Sequence, residues 1–91
     1  MSRQRQEVLL LVELRAALEA DMLGFTAKSD WPAGVLILSK EHFRGIWRWS
    51  DGQYSFTPGG YAVATYRAAS AEEAVHYTLA HVCREASGIA V

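Results

Sequence analysis

The sequence predicts a two-layer α+β fold: a helix, an antiparallel β-meander of three to four strands and a second helix, with both helices on one face of the sheet. Three observations carry this reading. Apolar residues recur at helical spacing near each end of the chain. Between the ends, short extended segments are separated by dipeptides suited to tight turns. One of these segments, His42–Trp49, alternates aromatic and basic residues and is followed by Asp51-Gly52, the strongest short-range hairpin signal. The 91 residues are too few for more than one core, so residues 1–91 are read as a single domain.

The first helix is expected from about Gln4 to Leu23. Leu, Ala, Glu and Arg dominate there, without internal Gly or Pro, and all four favour helix. Projected at 100° per residue, Val8, Leu10, Leu11, Val12, Leu14, Leu18 and Met22 cover about 200°, twice the minimum width of a core-facing stripe. A stripe that wide predicts contact with a sheet and also with a second helix or a partner chain. Arg15 falls inside it and is expected to snorkel and pair with Glu19 one turn on. Gly24 is read as the stop.

Residues 25–33 read as a loop around Trp31-Pro32. Four extended segments follow: Val35–Leu38, Phe43–Ser50, Gln53–Thr57 and Tyr61–Arg67. Their separators are Lys40-Glu41, Asp51-Gly52 and Pro58-Gly59. Ser70-Ala71-Glu72-Glu73 is a capping box that opens the second helix. That helix is expected to run to about Ala86 with Val75, Leu79, Val82, Cys83 and Ala86 inward, and to stop at Ser87-Gly88.

A two-residue loop at Asp51-Gly52 sets Ser50 opposite Gln53, Trp49 opposite Tyr54 and Trp47 opposite Phe56. Directly opposed residues share a face. Phe43, Gly45, Trp47, Trp49, Tyr54 and Phe56 therefore belong together under the helices. His42, Arg44, Ile46, Arg48, Gln53, Ser55 and Thr57 face the other way. Two-residue loops at Lys40-Glu41 and Pro58-Gly59 add Val35, Ile37, Ala62, Ala64 and Tyr66 to that open face. A three-residue loop at the first hairpin would present Leu36 and Leu38 there instead, so the open face gains two aliphatics in either register. The expected interaction surface is Val35, Ile37, Arg44, Ile46, Arg48 and Tyr66, an aliphatic patch with an arginine rim.

Charge and composition exclude more than they identify. Nine basic and ten acidic residues give a net charge of −1, so no global field attracts nucleic acid or an anionic membrane. The N-terminal run Val8–Val12 is too short for a signal-peptide core or a membrane span. The single cysteine forms no internal disulfide, and a cytoplasmic protein is expected. Hydrophobic residues make up 51% of the chain, enough to leave apolar surface for an interface.

No catalytic, cofactor-binding or metal-ligating residue is assigned. Glu72 with His76, and His81 with Glu85, have the i,i+4 spacing of ligand pairs but lack a third partner. Cys83 lies on an apolar stripe and reads as a small buried hydrophobe. Helix–β–β–β–helix order is similar to that of double-stranded RNA-binding domains. That resemblance implies lysines at the start of the second helix, where this chain has Ala71-Glu72-Glu73-Ala74. Arg44-Gly45-Ile46 together with Ala71-Glu72-Glu73-Ala74 resembles plant AP2-type DNA readers, which implies groove contacts from sheet Arg and Trp. Here Trp47 and Trp49 are expected to point inward. The resulting expectation is a non-enzymatic protein-interaction module without cofactor, self-associating through the open sheet face or the first helix. The alternative is a sheet-based nucleic-acid binder using Arg44 and Arg48.

Overall fold

Residues 2–84 are described by the computed structural model. Helix α1 (Arg3–Asp21) leads into five strands, β1 (Phe25–Asp30), β2 (Gly34–Ser39), β3 (His42–Ser50), β4 (Gln53–Pro58) and β5 (Tyr66–Ala68), and then α2 (Ala71–Tyr77), which continues as a π-helical segment, Thr78–Cys83. The strands form one antiparallel meander in the order β1-β2-β3-β4-β5. Both helices pack on one face, so the two-layer α+β architecture holds, with five strands in place of three to four. The positions expected at Ala86 and Ser87-Gly88 lie outside the described residues.

The strand missing from the sequence reading is β1. Its residues alternate apolar and polar: Phe25 and Ala27 are buried, whereas Thr26 and Lys28 are exposed. Trp31-Pro32-Ala33 then closes a hairpin that sets Asp30 opposite Gly34. α1 ends earlier than expected. Its C-cap is Met22 in the left-handed region, whose N–H reaches the Leu18 carbonyl.

The hairpin at Asp51-Gly52 has the expected register from Ser50↔Gln53 to Ile46↔Thr57, and pairing continues to Gly45↔Pro58, so Pro58, expected in a turn, ends β4. Both turn residues have positive φ, 53° and 78°, as a type I′ turn requires. Lys40-Glu41 is also a two-residue turn, again with φ positive at both positions. Leu38 accordingly faces Phe43, but a β-bulge at Arg44 then sets Ile37 opposite Gly45 and Val35 opposite Trp47. The bulge has a packing cause. A Cβ on Gly45 would lie 2.2 Å from the Phe56 ring, so only glycine fits beneath that ring. The Arg44 carbonyl displaced by the bulge accepts the Gly59 N–H at 2.9 Å.

Tyr61–Arg67 does not continue as a strand from Pro58-Gly59. Residues 59–65 form a longer connection, and β5 pairs as Phe56↔Tyr66, Ser55↔Arg67 and Tyr54↔Ala68. This register turns Tyr66 toward the helices.

The core is centred on Trp47. Its ring lies 5.0 Å from Phe56 and meets Tyr66 and Tyr77 edge-on, the geometry aromatic quadrupoles favour. Its Nε1–H donates to Thr78 Oγ1, and that hydroxyl donates to the Ala74 carbonyl. α2 turns Ala71, Ala74 and Thr78 inward, so the stripe expected at Val75, Leu79 and Val82 sits only half-buried around the core. The π-helical segment accounts for Cys83. An i→i+5 turn carries the inward direction from Thr78 to Cys83, which is fully buried.

Ser70 caps α2 as expected by accepting from the Glu73 N–H. The reciprocal bond shifts by one residue: Glu73 accepts from the Ala69 N–H rather than from Ser70.

Candidate functional site

Two surfaces have the composition of contact sites: the uncovered face of the sheet and the outward face of α1. The structure redistributes the six residues expected on the sheet face. Arg44, Ile46 and Arg48 lie on it. Val35 and Ile37 do not, because the bulge rotates them into the core, where they are 1% and 0% exposed. Tyr66 is also on the helix side, stacked on Tyr77 with ring centroids 3.8 Å apart. Leu36 and Leu38, the aliphatics of the other register, take the open face beside Ile46. Phe43, expected in the core, joins them opposite Leu38 and is 47% exposed. Gly45 within a strand pattern was the available signal for this bulge.

Around this apolar centre the outward strand positions are strongly basic. Among the described residues Lys28, Arg44, Arg48 and Arg67 stand against Asp30 of β1 and Glu41 of the β2–β3 turn, which lines a hollow with Lys28 and Leu38. The near-neutral chain thus carries a local cationic face. Arg48, Ser55 and Arg67 are direct neighbours across β3, β4 and β5 and line a cleft of about 520 Å³ that Ser50, Thr57 and Ala64 also border. Arg3 lines the same cleft. Its guanidinium is shared among Glu7 at 2.8 Å, the Pro32 carbonyl and the face of Trp31.

α1 splits its wide apolar stripe. Leu10, Leu11, Leu14 and Leu18 enter the core, joined by Gln6 and Glu7. Val8 and Val12 face solvent, as does Leu9. Met22 protrudes as the helix cap. Glu7 is buried because β3 outruns β2. The Trp49 N–H lies beyond the last β2–β3 pair and finds its acceptor in the Glu7 carboxylate at 2.9 Å. Arg15 is not paired with Glu19 but donates to the Ala27 carbonyl on β1.

On the outward side of α1, Arg5, Leu9, Val12, Ala16 and Glu19 are all exposed. Their spacing alternates four and three residues, the period of a helix–helix seam. The Arg5 and Glu19 side chains have no ion pair among the described residues.

Titratable groups of the helix layer are structural. Glu73 is held below its ordinary pKa by the Tyr66 hydroxyl, which donates to it at 2.6 Å, and by the Ala69 N–H. Burial pushes Cys83 up to about 11 and Tyr54 up to about 12. The Tyr54 hydroxyl donates to the Gln6 carbonyl. No three His, Cys, Asp or Glu side chains cluster as a ligand set among the described residues. No helix among them is long and apolar enough to cross a membrane. No protein-family profile, curated protein or solved structure matches the chain.

Proposed function

We propose that this chain is a small non-enzymatic protein-interaction module of the cytoplasm that self-associates through the outward face of α1. The observation that carries the reading is the exposed seam Arg5–Leu9–Val12–Ala16–Glu19. A two-fold interface must be self-complementary, and this seam is. In an antiparallel pair, Leu9 and Val12 meet their copies near the dyad and each Arg5 comes within a helical turn of the partner's Glu19. A parallel pair would set Arg5 against Arg5, so charge selects the antiparallel arrangement. The open sheet face is the weaker candidate for self-association. Face-to-face pairing of two copies would oppose Lys28, Arg44, Arg48 and Arg67 to the same cations.

α1 has 19 residues, or about 28 Å of helix at about 1.5 Å per residue. One helix face of that length lies at the low end of specific interfaces, which start near about 1,200 Å². A dissociation constant on the order of 10–100 µM is therefore expected. Sedimentation equilibrium over that range tests it. Val12 is 60% exposed, so Val12→Glu leaves folding intact while setting two carboxylates against each other at the dyad. Arg5→Glu and Glu19→Arg should each weaken the dimer, and the two together should restore it. A wild type that stays monomeric at about 500 µM, well above the expected constant, rejects the reading.

A second reading rests on the cationic sheet face: nucleic-acid binding through Arg44 and Arg48. It requires binding to a random duplex that weakens steeply with salt, with a slope flattened by Arg44→Ala and Arg48→Ala. Absence of binding at low salt eliminates it.

A further inference from the structure

The row Arg48–Ser55–Arg67 has the arrangement of an oxyanion cradle. The three residues are direct cross-strand neighbours on the open face. Adjacent strands lie about 4.8 Å apart, so the two arginine Cα atoms stand roughly 10 Å apart with a hydroxyl midway. Two arginine side chains are long enough to converge over that hydroxyl. Neither guanidinium has an ion pair or hydrogen bond among the described residues. The β4–β5 connection walls one side of the cleft through Ala62, Val63 and Ala64. Its volume of about 520 Å³ lies within the size range of small-ligand sites.

We infer that this cleft binds a phosphate monoester, with Arg48 and Arg67 gripping the terminal oxygens and the Ser55 hydroxyl donating between them. The chemistry favours this ligand on two counts. A guanidinium fork presents paired N–H donors to pairs of phosphate oxygens, and two forks need the three terminal oxygens a monoester supplies. A monoester also carries about −1.5 to −2 charges at neutral pH, which two arginines balance. A carboxylate occupies only one fork. A phosphodiester carries a single charge and leaves the second guanidinium uncompensated. Arg44 lies on the same face but outside the cleft lining, which separates a site from a diffuse field. The inference is independent of the α1 seam, because the cleft and the seam share no residue.

The test is a titration of the full chain with inorganic phosphate, a short phosphoserine peptide and a hexose phosphate, each against chloride at matched ionic strength. Amide and arginine Nε–H resonances report binding. Saturable shifts centred on Arg48, Ser55 and Arg67 are expected, with a dissociation constant on the order of 1 mM for inorganic phosphate. Arg48→Gln and Arg67→Gln should each weaken binding about tenfold or more, while Arg44→Gln changes it less than about twofold. Tighter binding of the peptide identifies a phosphorylated side chain as the source, and tighter binding of the hexose phosphate identifies a free metabolite; both support the site. Shifts that do not saturate overturn it, as does equal weakening by Arg44→Gln. A single-stranded oligonucleotide that outbinds all three probes, with Arg44 mattering as much as Arg48, overturns it in favour of a nucleic-acid face.

Discussion

Glu7 is a carboxylate in the middle of the core-facing stripe of α1, between Leu14 and Leu18 in projection, and replacing it by alanine measures what holds it there. Its carboxylate accepts the Trp49 N–H at 2.9 Å and Arg3 Nε–H at 2.8 Å, and the residue is 4% exposed. Glu7→Ala strands a half-buried backbone donor, which costs about 1–3 kcal/mol. Loss of the buried methylene beyond Cβ adds about 0.8 kcal/mol. The i,i+4 pair with Arg3 adds about 0.3 kcal/mol, because it is partly exposed and has the less favourable orientation. Alanine's higher helix propensity returns a few tenths, about 0.3 kcal/mol. The expected loss is about 3 kcal/mol, or roughly 12–24 °C in Tm for a domain of this size. Urea unfolding followed by far-ultraviolet circular dichroism gives the number, with a constant m-value as the check on two-state behaviour. Glu7→Gln keeps an acceptor for Trp49 and should cost about half as much or less. Arg3→Ala should cost under about 1 kcal/mol. If Glu7→Ala costs no more than Arg3→Ala, the surface ion pair and not the orphaned strand amide accounts for the burial of Glu7, and the argument fails.

Further perturbations test other parts of the structure. Glu41 occupies the second left-handed position of a type I′ turn, with φ 71°, so Glu41→Gly should stabilise the protein by about 1 kcal/mol; a lower denaturation midpoint would contradict the turn geometry. Burial holds Cys83 up to about 11 against an ordinary value of 9.0, and Tyr54 up to about 12 against 10.0. Raised values favour the neutral forms in the folded state, so this stability is complete below about pH 9 and declines as pH rises through 9–12; urea midpoints at pH 8 and pH 10.5 should differ, less so in Cys83→Ser. The same burial makes Cys83 slow to react with an aromatic disulfide at pH 8 until the protein unfolds. The Tyr66 hydroxyl lowers Glu73, so Tyr66→Phe should move the Glu73 carboxyl titration upward toward 4.5, read by carbon-detected nuclear magnetic resonance. Because Glu73 is depressed, its contribution is present above its unfolded pKa and is lost as pH falls through the folded one.

Local chemistry made most of the architecture legible. Asp51-Gly52 fixes a turn that only a few dipeptides favour, and from that one constraint the cross-strand pairs from Ser50↔Gln53 to Ile46↔Thr57 follow correctly. Ser70 and Glu73 mark the start of α2 by an equally local bond. The errors arise where distant groups decide. The bulge at Arg44 exists because Phe56 needs a side-chain-free residue beneath it; Gly45 marks the irregularity locally, but the ring that demands it lies a strand away. Tyr61–Thr65 has strand composition, yet β5 starts at Tyr66 because that register stacks Tyr66 on Tyr77 of α2. The charge of Glu7 finds its partner only in the structure, where β3 outruns β2 and leaves the Trp49 N–H for its carboxylate. β1 was readable in the alternation of Phe25, Thr26, Ala27 and Lys28, and the Trp31-Pro32 turn masked it.

The bulge also explains why the open face keeps its character although its members changed. Every residue of Val35–Leu38 is aliphatic, so a one-residue slip in β2 exchanges Val35 and Ile37 for Leu36 and Leu38 and leaves the face equally apolar. The slip does not reach β3 beyond Gly45, where the Asp51-Gly52 turn dictates direction, so Ile46 and Arg48 remain outward. The same turn, continued through Ser55, aligns Arg67 with Arg48. Two guanidiniums without an ion pair or hydrogen bond among the described residues therefore flank one hydroxyl as a consequence of hairpin register, at positions where the helix-facing core makes no demand on side-chain identity. Both arginines point away from the core and both line one cleft, a shared placement that a ligand would account for and packing does not.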